Sequence, residues 1–248
     1  MKRGVQIGLV ALAVGVAFGV GALTGAASFE MLYALAIAAL ATLAAAFFGA
    51  RYAFTLQNQR SEEESERAKV AAANRAIFSL SRKYNRLRNF HDQFIAPHEG
   101  NEAAFLTMLP AVELMKDDIL FDIDGISFLL ETEHRNLLGE VTISVAKYQT
   151  AIDAINLRSR LHLNEAQPLL EQDGVIEGGQ YTFGEIRRAL GERLFTSLRQ
   201  STEQLISATG EALQSLERSA DDLTSAFRDE FPNRGIIELA RAERDDGT

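Results

Sequence analysis

The sequence predicts an all-α fold: an N-terminal two-helix transmembrane hairpin, followed by a cytoplasmic domain of long helices arranged as a bundle or coiled coil. Three observations support this prediction. Two apolar runs of roughly 20 residues open the chain, and each is long enough to cross a bilayer as a helix. Apolar residues then recur every seven positions over long stretches, as in helices that pack side by side. No useful length shows the apolar–polar alternation of a strand, so we expect essentially no sheet.

The hairpin is predicted over residues 1–55. Its two apolar runs cover residues 5–27 and 31–50, and only Ser28, Phe29 and Glu30 separate them. Together the runs are too long for a single helix across roughly 30 Å of hydrocarbon, so a tight turn between two spans is the economical interpretation. Neither run carries a charged residue at mid-depth, which disfavours an ion or proton pathway through a single chain.

A cleaved signal peptide is the alternative interpretation of the first run. Lys2 and Arg3 precede an apolar stretch that ends in the small residues Gly25, Ala26 and Ala27, a pattern similar to the three regions of a signal sequence. The apolar core of a signal peptide is usually about 7–15 residues long, and this stretch is longer, so we favour a span. After cleavage the second run would still cross the membrane.

The charges that flank the two runs predict the orientation of the hairpin. Lys2 and Arg3 come before the first run, Arg51 follows the second, and Glu30 stands alone in the turn between them. Cytoplasmic flanks of membrane helices are enriched in lysine and arginine. We therefore expect a multi-pass protein of a bacterial-type inner membrane, with its N- and C-termini in the cytoplasm.

A stripe of small residues runs along the first span and predicts close helix packing. Its members are Gly4, Gly8, Ala11, Gly15 and Gly19. Small residues spaced three, four and seven apart let a neighbouring helix approach closely in lipid. The favoured neighbour is the second run of the same chain, which is rich in alanine. A homo-oligomer through the same stripe is the alternative, and substitution of Gly15 and Gly19 by leucine is predicted to weaken it.

The charge of the remaining chain limits its partners. The net charge is −9, whereas residues 1–55 hold three basic residues and one acidic residue, so the later part is more acidic than the whole. Broad binding to nucleic acid needs a basic surface that replaces counterions, and we expect no nucleic-acid partner. The chain has no cysteine, which excludes disulfides, thiolate metal sites and cysteine nucleophiles.

A helical bundle domain is predicted over residues 56–231. Two parallel series of seven-residue spacing run from residue 70 to residue 94, and similar stripes recur at residues 138–162 and 183–227. Such stripes are typical of the contact line, or seam, between packed helices. The predicted seam and interaction residues are Ile77, Leu80, Tyr84, Leu87, His91, Phe94 and His162.

Local signals predict where the helices begin and end. Pro97 and Gly100 should stop the first long helix of the domain. Residues 172–180 contain three glycines and form the one clear loop, after which Thr182 and Glu185 make a capping box for the last long helix. Pro232 should end the ordered domain, which leaves residues 232–248 as a charged tail.

No catalytic, cofactor or metal motif is identified. Glu131 and His134 have the Glu-x-x-His spacing of di-iron bundles, but such sites need the motif twice and it occurs once. His91 and His162 both fall on seams, where a polar residue usually fixes helix register. A pH-responsive histidine pair is the alternative if the two rings lie close together. We expect no enzyme, no cofactor and no metal site.

Two functional classes fit this organisation. The first is an inner-membrane-anchored helical scaffold, interaction or sensing protein, whose partners are the lipid bilayer, a second copy of the chain and a protein not identified by the sequence. The second is an oligomeric membrane-acting effector or channel-like subunit gated by the cytoplasmic bundle, as in some bacterial abortive-infection systems. The second comparison is one of architecture only, because no motif is shared.

Overall fold

The structure is a computed structural model that describes residues 29–111, 121–175 and 179–238. All regular secondary structure in these three ranges is helical, and none of them contains a strand. The predicted all-α class is therefore confirmed. The chain divides into two compact units, Met1–Ser65 and Glu66–Thr248, and each is described by itself.

Helix α1 spans Phe29–Phe90 without a break. Proline and glycine are the residues that most often interrupt a helix. This helix contains no proline and only one glycine, Gly49. The second predicted apolar run, residues 31–50, lies entirely within this helix. The first run and its small-residue stripe (Gly4, Gly8, Ala11, Gly15 and Gly19) lie outside the described residues, so one long apolar helix is observed rather than a two-helix hairpin.

The part of α1 in the first unit exposes its large apolar side chains. Leu40, Phe47, Phe48 and Tyr52 are each about two-thirds exposed. Among the described residues, one helix is long and apolar enough to cross a membrane by length and composition; its most apolar window lies at this N-terminal end, has a mean hydropathy of 2.0 and is not buried at all.

Two irregular helical turns follow α1, one wider and one tighter than an α-helix. A π-helical turn at His91–Ile95 and a 3-10 turn at Ala96–His98 follow the α-helix directly. Pro97 lies in the 3-10 turn and Gly100 has a φ of 74°, in the left-handed region that favours glycine. The helix therefore ends close to where these two residues predict. The single-turn helix α2, Ala104–Thr107, comes next.

The remaining helices all belong to the second unit. A 3-10 helix at Asp124–Glu131 precedes α3, Leu137–Arg160, which continues through a π-helical turn at Leu161–Ala166 into α4, Gln167–Gln172. Helix α5 spans Phe183–Glu230. Its start is the predicted capping box, in which Thr182 Oγ1 accepts from the Glu185 backbone N–H and the Glu185 carboxylate accepts from the Thr182 backbone N–H.

Helix α5 is kinked at Gly191. This residue has φ 73° and ψ 155°, which is not helical and is essentially restricted to glycine. The segment before it, from Phe183 to Leu190, therefore takes a different direction from the long segment that follows. Ile186 and Leu190 of this segment are buried in a small apolar cluster together with Phe105, Ala166, Phe195 and Leu198.

The main core is shared by the bundle portion of α1 with α3 and α5. Ile77, Leu80 and Leu87 of α1 are fully buried and belong to the same cluster as Ile152 of α3 and Leu216 of α5. A helical bundle is thus observed in the second unit.

A serine contact joins α3 and α5 inside the bundle. The hydroxyl of Ser144 lies 2.7 Å from those of both Ser215 and Ser219, where small side chains let the two helices approach closely. The smaller apolar cluster around Phe105 lies apart from this core.

Candidate functional site

The predicted seam residues have different environments in the bundle. Ile77, Leu80 and Leu87 are completely buried, whereas Tyr84 and Phe94 are half-buried and pack against the main core. The two histidines, His91 and His162, are each partly buried.

Both predicted seam histidines lie in π-helical turns, His91 in the first and His162 in the second. His91 Nδ1 is 3.1 Å from Asp92 Oδ1, and its Nε2 is 3.6 Å from Glu99 Oε1. His162 Nδ1 is 3.5 Å from the guanidinium of Arg158. No hydrogen bond or ion pair joins two histidines within the described ranges, so the hypothesis of a pH-responsive His91–His162 pair gains no support.

Arg158 is a buried cation held by backbone oxygens. Its side chain is 1% exposed, and its Nη2 donates to the carbonyl oxygens of Phe105 and Met108, which belong to α2 and the residue after it. Ser159 Oγ accepts from the backbone N–H of Ala111 at 3.2 Å. Two consecutive α3 residues therefore fix the segment that follows α2 against the bundle.

Burial lowers the pKa of both Arg158 and His162. Removal from water disfavours the charged guanidinium and lowers the pKa of Arg158 to about 10. Burial, followed by repulsion from Arg158, lowers the pKa of His162 to about 4. His162 is therefore a neutral imidazole at physiological pH, and it does not add a second positive charge beside the guanidinium.

Lys83 is a second buried cation. Its side chain is 3% exposed, and its Nζ lies 5.0 Å from the centre of the Tyr148 ring, within the range of a cation–π contact. The sequence places Lys83 in a basic group with Arg82, Arg86 and Arg88, which suggests a solvated surface. Its burial is set by the packing of α1 against α3.

An aromatic cleft lies where α2 meets the first turns of α5. It has a volume of about 300 Å³, at the lower end of the range of roughly 300–1,000 Å³ for small-molecule pockets. Three phenyl rings form its apolar part: Phe105 packs edge-on against Phe195 with ring centres 5.0 Å apart, and stacks with Phe183 at 6.0 Å. Phe183 is 44% exposed, so this ring is reachable from solvent.

Paired charges surround the aromatic cleft. The Arg187 guanidinium lies 4.7 Å from the centre of the Phe195 ring, and its Nε is 3.5 Å from Glu192. Arg199 Nε donates to Glu203 at 3.1 Å. The lining thus combines the exposed ring of Phe183 with charged side chains of both signs.

His134, of the single Glu-x-x-His spacing, lies near carboxylates from two different parts of the chain. His134 Nε2 is 3.8 Å from Asp229 of α5 and 3.9 Å from Glu133. No group of three metal-ligating side chains occurs in the ranges that the structure describes.

The sequence analysis missed Arg158 and the aromatic cleft. Arg158 has a recognisable signal, because it lies four residues before His162 and three after Ile155, on the face of α3 that the apolar periodicity predicts to be buried. The cleft has no such signal, since Phe105 of α2 is about 80–90 positions from Phe183 and Phe195 of α5 in the sequence.

Comparisons with known proteins gave no relative. The chain matches no protein-family model, and neither the curated proteins nor the solved structures contain a significant match.

Proposed function

We propose that this protein is a membrane-anchored helical interaction or sensing module. The hairpin of residues 1–55 crosses the membrane twice, and the bundle stands in the cytoplasm, where it binds a protein partner or a second copy. The observation that carries this proposal is the exposed apolar surface of α1 between Tyr33 and Leu56.

The length and exposure of that surface support a membrane location. The segment from Tyr33 to Ala50 is about 27 Å long at 1.5 Å per residue, close to the roughly 30 Å of bilayer hydrocarbon. Its bulky side chains are exposed rather than buried in a core. A contiguous apolar surface of this extent is unfavourable in water and favourable in lipid.

The bundle is the part of the protein that binds the partner. It has a core of its own in the second unit, and it presents a solvent-accessible aromatic cleft of the size of a small-ligand pocket. A partner group that contacts the exposed Phe183 ring and the charged side chains around it fits this cleft.

Single-cysteine labelling tests the topology, since the chain has no cysteine of its own. We expect Glu30→Cys to react with a membrane-impermeant maleimide in intact spheroplasts. Ser61→Cys should react only after the membrane is permeabilised. Protection of Glu30→Cys in intact spheroplasts would show that the hairpin is wrong, and labelling of Ser61→Cys from outside would show that the bundle is not cytoplasmic.

A vesicle-leakage assay distinguishes the interaction module from a membrane-acting effector. The full-length protein, reconstituted into dye-loaded vesicles, should float with the lipid and release no dye. Dye release that is lost in the Gly15→Leu/Gly19→Leu variant would instead support a membrane-acting oligomer. Recovery of the wild-type protein in the lipid-free fraction would overturn the membrane location itself.

A further inference from the structure

The residues after α5 return to the surface of α1. The segment Arg234–Ile237, here called the strap, has no helical structure and follows a turn that contains Pro232. Phe231 anchors the beginning of this turn, because it is buried and packs edge-on against Phe128 with ring centres 5.6 Å apart. The strap is therefore positioned by the bundle rather than by helix propensity.

Asn74 of α1 binds the backbone of the strap through both ends of its side-chain amide. Its Nδ2 donates to the carbonyl oxygen of Gly235 at 2.9 Å, and its Oδ1 accepts from the backbone N–H of Ile237 at 3.0 Å. A carboxamide offers one acceptor and two donors, so it can satisfy a peptide backbone in the way another peptide group would. This contact fixes the register of the strap and depends on no side chain of Gly235 or Ile237.

Glu66, which precedes Asn74 in α1, makes a second contact with the strap, through the side chain of Arg234. Arg234 Nε and Nη2 donate to the two carboxylate oxygens of Glu66 at 3.1 and 2.8 Å, which is the two-point geometry that arginine favours with carboxylates. The hydrogen bond from Arg234 holds the pKa of Glu66 below its ordinary value. Ile236 lies between the two residues whose backbone pairs with Asn74, and it is half-buried against the main core.

The strap makes a tight turn where it meets α1. The backbone N–H of Ile236 donates to the carbonyl oxygen of Arg234 at 2.9 Å, which closes a three-residue turn. Glu66 and Asn74 are eight residues apart in the sequence, or about 12 Å along the axis of α1 at 1.5 Å per residue. The surface thus offers a carboxylate to Arg234 and an amide to the backbone of Gly235 and Ile237, and Ile236 makes its apolar contact between those two backbone groups.

The strap is held by contacts that open more easily than the core. The Arg234 and Glu66 side chains are 39% and 41% exposed, and ion pairs with this exposure contribute little to stability. Segments with few buried contacts open locally without unfolding the domain. The α1 surface under the strap can therefore become accessible while the bundle stays folded.

We infer that the α1 surface formed by Glu66 and Asn74 is a binding site for a short, non-helical peptide segment with a tight turn, which the chain's own strap fills. The segment it accepts carries an arginine followed two residues later by an aliphatic side chain, with a free backbone carbonyl and N–H beyond the arginine. A partner with this pattern binds by displacing the strap, so the strap controls access to the site. The site does not depend on the membrane location proposed above.

A labelled peptide with the sequence of residues 231–238 tests the site in the full-length protein in detergent. We expect the peptide to bind the Arg234→Ser/Ile236→Ser variant at least tenfold more tightly than the wild type, because the weakened strap no longer competes. Adding Asn74→Ala to that variant should weaken binding at least tenfold. Equal affinity with and without Asn74, or no binding to a variant that melts like the wild type, overturns the proposal.

Two variants of the parent peptide show which features of the strap the α1 site recognises. A peptide with Gly235→Ala should bind as the parent does, because a Cβ at Gly235 meets no atom within 4 Å. A peptide with Arg234→Glu should bind poorly, and a protein that also carries Glu66→Arg should restore its binding. Absence of that restoration would show that the Glu66 contact does not select the peptide.

Hydrogen exchange in the wild-type chain gives a test that requires no altered strap. A saturating excess of the parent peptide should accelerate exchange at the protein's own Ile237 amide at least fivefold, since that amide loses Asn74 Oδ1 as its acceptor. Exchange at Leu216, inside the core, should stay unchanged. An unchanged rate at Ile237 with saturating peptide overturns displacement of the strap.

Discussion

Arg158 Nη2 donates a hydrogen bond to the backbone carbonyl oxygen of Phe105 at 3.3 Å, which joins residues 53 positions apart in the sequence. The same nitrogen donates to the carbonyl of Met108. Because the Phe105 ring forms one wall of the aromatic cleft, a buried cation of α3 sets the position of that wall. The cleft and the bundle core are thus linked through one side chain.

Replacement of Arg158 should destabilise the protein even though it removes a buried charge. Arg158→Met leaves the carbonyl oxygens of Phe105 and Met108 without their donor, and an unsatisfied buried polar group costs about 1–3 kcal/mol. Relief of the cost of burying the guanidinium offsets part of this loss. We expect a net decrease of about 2 kcal/mol in the free energy of unfolding, measured by urea titration of the detergent-solubilised chain.

Arg193→Met is the matched control, because Arg193 is an exposed residue of α5. It should change the free energy of unfolding by less than about 0.5 kcal/mol. An effect of Arg158→Met no greater than that of the control would show that the two backbone contacts do not stabilise the segment after α2.

His162 should make stability depend on pH on the acidic side of neutrality. Its pKa is lowered to about 4 in the folded protein, first by burial and then by Arg158, whereas an unfolded histidine titrates near 6.5. Between these values the unfolded chain binds the proton more strongly, so stability is complete above about pH 6.5 and declines as the pH falls to about 4. The loss is about 3 kcal/mol at most.

The variant His162→Gln isolates this contribution. The difference in free energy of unfolding between wild type and variant should change only between about pH 4 and pH 6.5, as followed by denaturant titrations at a series of pH values. A difference that stays constant across that window would contradict the depressed pKa of His162.

Two glycines of α5 should respond to alanine in opposite directions. Gly191 has the left-handed φ of 73° at the kink, and a side chain there carries strain of about 1–3 kcal/mol. Gly210 is exposed within the regular helix, and a Cβ there meets nothing within 4 Å. Thermal melting should show that Gly191→Ala lowers the melting temperature and that Gly210→Ala raises it. Equal shifts for both variants would argue against the kink.

Charge in the core of α1 should unfold the bundle. Leu80 is fully buried in the main cluster, whereas Phe78, two positions earlier, is 58% exposed. Leu80→Asp places a carboxylate where it has no water and is expected to cost several kcal/mol. Phe78→Asp should cost far less and serves as the control. Circular dichroism melts of the two variants that coincide would show that Leu80 is not part of the core.

Local signals in the sequence predicted two of the helix ends. The capping box at Thr182 and Glu185 needs only two residues three apart, and it is present as predicted. Pro97 and Gly100 similarly mark the end of α1. These features depend on contacts within one turn of the chain, so the sequence contains all the information they need.

The environments of charged residues could not be predicted in the same way. Lys83 is surrounded in the sequence by other basic residues, and yet it is buried beside the Tyr148 ring. The strap contacts join Glu66 to Arg234, 168 positions away. No spacing rule relates such residues, because the distance between them is set by how the helices pack.

The sequence by itself determined the helical class, the apolar character of residues 31–50, the stop near Pro97 and Gly100 and the capping box that begins α5. These properties follow from side-chain size, backbone freedom and hydrogen bonds between near neighbours. The tertiary structure decided that Arg158 and Lys83 are buried, that three phenyl rings meet in one cleft and that the strap lies on α1. Each of these requires segments far apart in the chain to exclude water together, and this exclusion exists only once the helices have packed.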